Sequence, residues 1–205
     1  MKPLFIGYCT PGPYEALADT LRANLDSFGI AHEIRKVPGR GNWQANTSMK
    51  GEVVRKFIAD YPDRPMVYLD VDASVLSEPT LLNALADTDC DISAAVFGSC
   101  ELLSGTVYFG PSQRTVDLVD LWIALCKQYP EMIPPGLMGQ YPNGDFAWDQ
   151  RLLALALSRM PGIKFVQLPP AYTYIHDLSK MQYPDVTPII MHHAASRQYR
   201  DKACA

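Results

Sequence analysis

Two aspartates separated by one residue follow an apolar run in the first half of the chain. Residues 67–72 read VYLDVD, so Asp70 and Asp72 come directly after strand-type residues. In an extended chain, residues two apart point to the same side, so both carboxylates can face one hard cation or its phosphate ligands. Magnesium or manganese held in this way would neutralise a diphosphate. The alternative is a solvated pair of turn aspartates, but a buried strand seldom ends in two carboxylates that lack a partner.

A lysine stands near the start of a predicted helix, where the helix dipole disfavours a positive charge. Apolar residues between positions 53 and 61 mark one face of a helix that begins near residue 47 or 48, and Lys50 lies in its first turn. A cation in that position can serve a ligand. Together with the helix amides and the adjacent Gly51, Lys50 could bind a phosphate. The alternative is an ordinary exposed lysine.

The elements that would position these residues alternate between strand and helix, which predicts an α/β fold with a sheet flanked by helices. Gly29 is placed to end the first helix, which runs from about Tyr14. The predicted strands are residues 3–10, 31–37, 66–70, 92–97, 105–109, 164–168 and 188–192. The other predicted helices are residues 79–86, 112–128 and 148–158, in addition to the one that carries Lys50.

Composition predicts one soluble globular domain. The chain has 205 residues, of which 48% are hydrophobic and 20% charged, and its net charge is -4. These values exclude a disordered or fibrous chain and give no overall positive field for nucleic acid. Its five cysteines form no C-x-x-C pair, which favours a reducing cytoplasm over a disulfide framework or a structural zinc site. We expect no signal peptide and no transmembrane segment, because no apolar run is long enough.

One long segment contains too many prolines and glycines for regular structure. Residues 129–144 hold four prolines and three glycines among sixteen residues. By its length this loop is a candidate lid over a site. We treat residues 1–205 as a single catalytic domain that carries this loop and a C-terminal tail at residues 193–205.

Four stretches together resemble the small nucleotide-diphospho-sugar transferases with the GT-A fold. The segment YLDVDASVLSEP at 68–79 is similar to their D-x-D segment, in which an apolar strand precedes Asp-x-Asp-Ala. LLSGTVYFGPS at 102–112 resembles their N-S-G-V strand, DFAWDQRLL at 145–153 their acidic D-Q helix start, and IIMHHAASR at 189–197 their C-terminal strand ending in His. The resemblance covers most of the chain and implies a GT-A fold and a metal-dependent glycosyltransferase.

The resemblance also implies a metal site. Asp72 would be the main metal ligand, and Asp70 would contact the donor ribose or the water shell of the metal. His192 or His193 would complete the site, and the sequence does not distinguish the two. An imidazole beside carboxylates suits Mn²⁺ better than Mg²⁺. The alternative for the histidines is an exposed polar pair after an edge strand.

Further positions carry over to the donor sugar and nucleotide. Asp149 and Gln150 match the D-Q pair that would orient the donor sugar or the acceptor hydroxyl, although Asp149 could equally cap a helix. Ser104 and Gly105 match the strand beneath the sugar, while Leu103 stands where many relatives have Asn. The segment that begins at Thr10 would cradle the nucleotide, and Tyr14 within it could stack on the base or pack on the core.

Two other functions remain open at this stage. Hydrophobic-Asp-x-Asp also resembles the nucleophile motif of haloacid-dehalogenase-like phosphatases, in which Asp70 would attack phosphorus and Asp72 would be the acid and base. That motif here follows two earlier strands, and no matching later acidic pair with a lysine is evident. A nucleotide-sugar binding module without turnover is the other alternative. A dinucleotide-binding Rossmann fold is excluded because GYCTPGP lacks G-x-G-x-x-G spacing.

The acceptor is the least determined partner, and a saccharide, a protein or modified DNA would each supply a hydroxyl. Basic residues near positions 35–43 and in the tail could form a rim for a polyanion such as hydroxymethylated DNA. The simpler interpretation is a solvated surface. The residues concerned are Arg35, Lys36, Arg40, Arg197, Arg200 and Lys202.

Overall fold

The computed structural model describes residues 1–98, 101–134, 137 and 146–200. Its first half contains β1 (Leu4–Cys9), α1 (Pro13–Ser27), β2 (His32–Lys36), α2 (Trp43–Thr47), α3 (Lys50–Asp60), β3 (Met66–Leu69), β4 (Ala73–Val75) and α4 (Thr80–Leu85). Its second half contains β5 (Ile92–Phe97), β6 (Glu101–Phe109), α5 (Gln113–Gln128), α6 (Asp149–Ser158), β7 (Phe165–Leu168), a 3-10 turn (Pro170–Tyr172), β8 (Tyr174–Ile175), α7 (His176–Gln182), β9 (Ile190–His192) and α8 (Ala195–Arg200). Strands and helices alternate as predicted.

Six strands form a central mixed sheet in the order β2-β1-β3-β6-β5-β7. Strand β6 runs antiparallel to both of its neighbours, and the remaining pairs are parallel. A second, three-stranded sheet has the order β4-β9-β8. Because β4 begins only four residues after β3 ends, the small sheet lies directly beside the carboxyl end of β3.

The side chains of the central sheet alternate between two apolar clusters. Leu4 and Ile6 of β1 belong to the cluster that also contains the buried residues of α3, α5 and α6. Phe5 and Cys9 point the other way, into the cluster with α1, α4 and the small sheet. Helices thus cover both faces, which explains why β1 and β3 are continuous apolar runs rather than alternating ones.

Local signals set several helix ends, and for α1 and α5 the sequence predicts these ends. Gly29 has a φ of 62° just after α1, a left-handed conformation that glycine adopts at little cost. The side chains of Asn42 and Ser112 accept hydrogen bonds from the backbone amides of Ala45 and Thr115, and so cap α2 and α5.

The structure adds elements that the sequence patterns did not predict. The turn-rich stretch at 38–46 contains the start of α2, and the residues after Asp72 form the short strand β4. A helix of five residues and strands of two or three are too short to show a period. Strand β6 begins at Glu101, four residues before the predicted start, and the predicted tail contains α8.

The predicted lid at 129–144 lies partly outside the described residues, so its role stays a prediction. In its described first part, Met132 forms an isolated antiparallel bridge with Phe146, and the backbone N of Ala147 donates to the backbone O of Glu131 at 2.9 Å. The two ends of the segment therefore meet. Among the described residues, no helix combines the length and apolar character that crossing a membrane requires.

Candidate functional site

The two predicted carboxylates lie at the carboxyl end of β3, between the two sheets. The backbone N of Asp70 donates to the backbone O of Gly105 at 2.9 Å, which extends the pairing of β3 with β6 by one residue. Asp72 immediately precedes β4. The carboxylates therefore stand where the chain leaves the central sheet and enters the small one.

An irregularity in β6 brings three consecutive residues to this point. Ala94 of β5 pairs with Val107, while the next residue, Ala95, pairs with Leu103, so residues 104–106 form a bulge in β6. Bulges of this kind redirect side chains and are frequent beside functional sites. Each residue of the bulge contacts a candidate site residue. Ser104 contacts Lys50, and both Gly105 and Thr106 contact His192.

His192 joins the two aspartates in a potential metal site. One ligand atom from each of Asp70, Asp72 and His192 can be chosen so that all lie within 4.8 Å of one another. The β4–β9 pairing places His192 opposite Ala73, next to Asp72. Its Nδ1 lies 3.8 Å from Asp72 Oδ1, and its Nε2 lies 2.9 Å from the buried hydroxyl of Thr106.

The adjacent histidine points elsewhere. His193 is exposed, and its Nε2 lies 3.0 Å from the hydroxyl of Ser74. Its backbone N donates to the backbone O of Asp72 at 3.1 Å. Since neighbouring residues on an extended segment face opposite sides, only one of the two imidazoles reaches the carboxylates. The structure brings His192, and not His193, into the cluster.

Gly105 allows the imidazole to pack this closely. A Cβ at position 105 would lie 2.8 Å from Cε1 and 3.0 Å from Nδ1 of His192. The ring therefore occupies the space that a side chain at 105 would need. This contact gives a steric reason for glycine at position 105 that is independent of any donor sugar.

The Asp72 carboxylate is held in its charged form. Burial raises its pKa, but the neighbouring His192 and a hydrogen bond from the backbone N of Ala195 outweigh that effect and lower the pKa below the ordinary value. The amide of Ala195 lies 2.8 Å from Asp72 Oδ2. Ala194, with a φ of 51°, makes the left-handed turn that precedes this amide.

Asp70 is shifted in the opposite direction. Burial raises its pKa and the charge of Asp72 adds to the increase, while Lys50 opposes it. Its Oδ1 accepts hydrogen bonds from the hydroxyl of Tyr68 at 2.9 Å and from Lys50 Nζ at 3.1 Å. Tyr68 was not among the predicted site residues, although its position two residues before Asp70 on a strand places it on the same face.

Lys50 is buried, which excludes an exposed surface lysine. Its Nζ lies 2.8 Å from Asp149 Oδ2 and 2.9 Å from the hydroxyl of Ser104, in addition to the contact with Asp70. Burial lowers its pKa, but the carboxylates of Asp149 and Asp70 outweigh this effect and raise the pKa above the ordinary lysine value. The lysine stays charged and joins α3 to β3, β6 and α6.

The predicted D-Q pair is split between two environments. Asp149 begins α6, is 5% exposed, and its Oδ2 accepts from Lys50 and, at 2.7 Å, from the hydroxyl of Ser104. It is therefore an ion-pair partner of Lys50 rather than the cap of α6, whose N-cap position is Trp148. Gln150 is half-buried, and its Nε2 donates to Glu101 Oε1 at 2.5 Å. Glu101, at the start of β6, was not predicted because no motif includes it.

The two residues predicted at the nucleotide lie beside the carboxyl end of β1 but outside the cluster. Thr10 is buried, and its Cβ lies 3.8 Å from the position that a Cβ on Gly39 would take. Tyr14, in the first turn of α1, is half-buried and packs against the apolar cluster on that face of the sheet. Tyr14 thus has the core contacts that the sequence offered as its alternative role.

The part of the predicted basic rim at positions 35–40 is neutralised by acidic neighbours. Arg35 pairs with Glu33 and Asp60, Lys36 with Glu15, and Arg40 with Glu52. The side chain of Arg200 and the whole of Lys202 lie outside the described residues. Arg35, Lys36 and Arg40 therefore form ion pairs rather than a positive patch, while Arg197 is exposed and its charge acts on Asp177.

No protein-family model matches the sequence, and a search of curated proteins gives no match. Solved structures match at low identity. A glycosyltransferase involved in glycosylation of the major capsid of PBCV-1 gives a TM-score of 0.69 with 15% identity and 98% of each chain covered. The apo-form glycosyltransferase GlyE of Streptococcus pneumoniae gives 0.59 with 15% identity, over 94% of this chain and 54% of GlyE. The galactosyltransferase LgtC, in complex with donor and acceptor sugar analogs, gives 0.53 with 11% identity over 93% and 87% of the two chains.

The shared feature of these proteins is the architecture. Their similarity covers nearly the whole of this chain, and the mixed sheet with its flanking helices corresponds to the fold expected from the four motifs. At 11–15% identity the similarity establishes the fold and not the substrates. The chain adopts the GT-A fold of the glycosyltransferases.

Proposed function

We propose that this protein is a glycosyltransferase that moves a sugar from a nucleotide-diphosphate donor to a hydroxyl group of an acceptor. The observation that carries the proposal is the Asp70, Asp72 and His192 cluster at the carboxyl end of β3. In open α/β sheets, ligands bind beyond the carboxyl ends of the strands. The LgtC structure with donor and acceptor sugar analogs shows that this fold accommodates both kinds of ligand.

The donor set fits a divalent cation. Two oxygens and one imidazole nitrogen lie within 4.8 Å of one another, close to the roughly 4 Å that separates opposite ligands of one small divalent ion. The Nε2 of His192 contacts Thr106, so Nδ1 is directed at the carboxylates; a second-shell partner of this kind orients a metal-ligating histidine. Carboxylates with an imidazole favour Mn²⁺ over Mg²⁺.

The residues around this cluster have separable roles in the proposed reaction. A divalent cation held by Asp72, Asp70 and His192 would supply Lewis-acid stabilisation of the leaving diphosphate. Lys50 holds Asp70 and Asp149 about one buried ammonium, so both carboxylates keep their positions. The amide nitrogen of Gln150 is engaged by Glu101, which leaves its carbonyl oxygen to face a sugar.

The nucleotide would lie beyond β1. Thr10 follows this strand, and Tyr14 stands on the first turn of α1 next to it. Ser104 and Gly105 would lie under the donor sugar, since the same bulge reaches Asp149 and His192. These assignments follow from the neighbourhood of the cluster and are part of the proposal.

Neither alternative function is favoured by a specific observation. A haloacid-dehalogenase-like phosphatase would require Asp70 as a nucleophile, but its Oδ1 is occupied by Lys50 and Tyr68 and the fold is that of the GT-A proteins. A binding module without turnover has the same geometry as an enzyme and is distinguished only by assay.

The direct experiment is a thermal-shift screen of nucleotide sugars with and without Mn²⁺. A donor present at about 100 times its Kd stabilises the folded state by about 2.7 kcal/mol, which raises Tm by several degrees in a chain of this size. We expect this rise only with Mn²⁺ and not in Asp72→Asn. The screen is followed by release of nucleoside diphosphate from the stabilising donor.

Three outcomes separate the functions. Stabilisation with release of nucleoside diphosphate supports the transferase. Stabilisation without release or transfer supports the binding module. Hydrolysis of a generic aryl phosphate without any response to nucleotide sugars would contradict the proposal and favour a phosphatase.

A further inference from the structure

Exposed aromatic and apolar side chains lie directly before the D-Q pair. Phe146 is 48% exposed and Met132, its bridge partner, is 50% exposed. The ring of Phe146 stacks on that of Trp148, with centroids 6.4 Å apart and planes at 10°. We call Met132, Phe146 and Trp148 the aromatic ledge. Its exposed part is the apolar surface of Phe146 and Met132, and Trp148 supports the Phe146 ring from one side.

Contacts from three sides fix the aromatic ledge in place. The guanidinium of Arg151 lies 4.6 Å from the Trp148 ring centroid, and the ring of Trp43 meets Trp148 edge-on at 6.4 Å. Gln44 Nε2 donates to the backbone O of Pro130 at 3.0 Å and of Glu131 at 3.1 Å. These contacts tie both strands of the 132–146 bridge to α2 and α6, so binding to the ledge would require little ordering of the protein.

The ledge is joined to the candidate site through α6. Trp148 is the residue before Asp149, whose carboxylate contacts Lys50 and Ser104 and whose backbone O accepts from the indole N of Trp122 at 2.9 Å. An acceptor hydroxyl must reach the donor sugar beside this cluster. A group bound on the ledge would therefore lie beside the N-terminus of α6, which carries Asp149.

We propose that the aromatic ledge binds the apolar face of a sugar ring of the acceptor, so the acceptor is a saccharide. This inference rests on the proposed function. The C–H groups on one face of a pyranose complement the negative face of an aromatic ring, and the hydroxyls at its edge stay hydrated. Two exposed side chains, Phe146 and Met132, offer an area that matches about one sugar ring, whereas a stable protein interface buries about 800 Å² on each partner.

Charge favours a saccharide over a nucleic acid. Binding a polyanion requires cations that are available to phosphates. Arg35 and Lys36 at the end of β2, and Arg40 in the segment that follows it, are each within 2.8 Å of a carboxylate. Arg151, the cation beside the ledge, is 1% exposed and lies over Trp148. The cation in contact with the ledge is thus buried against Trp148, which suits a neutral ligand.

The test compares substitutions at Phe146 with a matched control. Saturation-transfer NMR measures the binding of a panel of neutral methyl glycosides and disaccharides to the full chain without donor. Phe146→Ala and Phe146→Leu remove the aromatic face, and Phe146→Tyr keeps it. Phe165→Ala is the control, because Phe165 on the edge strand β7 is a similarly exposed phenylalanine, at 37%.

We expect at least one panel saccharide to bind equally well to wild type, Phe146→Tyr and Phe165→Ala. The same saccharide should bind Phe146→Ala and Phe146→Leu about tenfold more weakly, because an aromatic contact contributes about 1.4 kcal/mol. The same saccharide should show an increased KM as acceptor in Phe146→Ala. Equal binding to all variants would overturn the proposal. The proposal would also be overturned if the wild-type protein bound no saccharide of the panel. This holds whether or not the protein binds an oligonucleotide or phosphatidylcholine vesicles.

The failure of this inference can be told apart from failure of the proposed function. The NMR measurement needs neither donor nor turnover. A chain that binds saccharides on the ledge but shows no response to nucleotide sugars contradicts the transferase function alone. A chain that releases nucleoside diphosphate but binds no saccharide through Phe146 contradicts the ledge alone.

Discussion

At the scale of single residues, two aspartates of the same motif have different surroundings. Asp72 is fixed by the amide of Ala195 and by His192, and its pKa is lowered. Asp70 shares one oxygen with Lys50 and Tyr68, and its pKa is raised. A cation would therefore find Asp72 already charged and, among the described residues, without an ion pair to a lysine, whereas for Asp70 it must share the carboxylate with Lys50.

The first prediction follows from this difference. Asp72→Ala should abolish Mn²⁺-dependent binding of a nucleoside diphosphate, while Asp70→Ala should weaken it less, because Lys50 remains to offset part of the diphosphate charge. Isothermal titration calorimetry with and without Mn²⁺ measures both. Asp63→Ala, at an exposed position near the other end of β3, is the control. Unchanged affinity in both site variants would remove the basis of the proposed function.

The second prediction concerns the two histidines. His192→Ala should weaken Mn²⁺ binding by at least about tenfold, and His193→Ala should leave it within about twofold, because only His192 faces the carboxylates. Electron paramagnetic resonance of free Mn²⁺ gives the affinity directly. If both variants keep the Mn²⁺ affinity of wild type, Asp70 and Asp72 bind the ion without an imidazole.

At the scale of elements, the bulge of β6 and the short pairing of β4 with β9 assemble the site. The bulge directs Ser104 to Lys50 and Thr106 to His192, although these partners lie in the two different layers of the molecule. A regular strand would place residues 104 and 106 on one face. The extra residues of the bulge therefore allow one strand to serve both sides of the site.

The third prediction tests the close packing at this bulge. Gly105→Ala places a Cβ 2.8 Å from Cε1 of His192, so the ring must move. Mn²⁺ affinity should fall by about 10- to 100-fold, comparable to the loss of a second-shell contact. Gly39→Ala is the control, since its nearest contact would be an ordinary 3.6 Å. A metal affinity unchanged in Gly105→Ala would show that His192 is not held by this contact.

At the scale of the whole molecule, a buried carboxylate, that of Asp91, lies at the other end of β5 and β6 from the site and serves stability. Asp91 is fully buried just before β5 and accepts from Arg114 Nε at 2.7 Å, the hydroxyl of Ser112 at 2.6 Å and the backbone N of Lys164 at 2.8 Å. It therefore joins β5, the start of α5 and the entry to β7. These contacts hold the second half of the central sheet to its helix.

The fourth prediction is a pH dependence of stability. Burial raises the pKa of Asp91. Hydrogen bonds from Arg114, Ser112 and the backbone of Lys164 outweigh this effect, so the pKa in the folded state lies below the ordinary value. Its contribution is present above about pH 4 and is lost as pH falls through the folded-state pKa. Asp91→Asn should lower the free energy of unfolding at pH 7 by about 2 kcal/mol.

Urea unfolding at several pH values measures this effect. Between pH 6 and pH 3 the free energy of unfolding of Asp91→Asn should decrease less than that of wild type, because the variant has no carboxylate to protonate at this position. Parallel decreases in the two proteins would contradict the role assigned to Asp91. Asp63→Asn, at an exposed position, controls for the change in net charge.

The sequence by itself determined the alternation of strands and helices, the buried strand before Asp70 and the order of the four motifs. These features are local, because periodicity and capping report how a side chain sits on its own element. Residues 66–70 and 92–97, for example, were predicted to within one residue of β3 and β5. The same patterns predicted the α/β fold and a GT-A resemblance, which the solved structures match.

Only the tertiary structure decided which residues meet. The pairing of Ala73 with His192 selects one histidine of two, and the β6 bulge brings Ser104 to a lysine 54 residues earlier in the chain. Lys50 was predicted as a phosphate ligand or an exposed cation; the structure excludes the exposed cation and pairs the buried Lys50 with Asp70 and Asp149. Contacts of this kind depend on strand register and on the packing of distant elements, and the side-chain period of a single element contains neither.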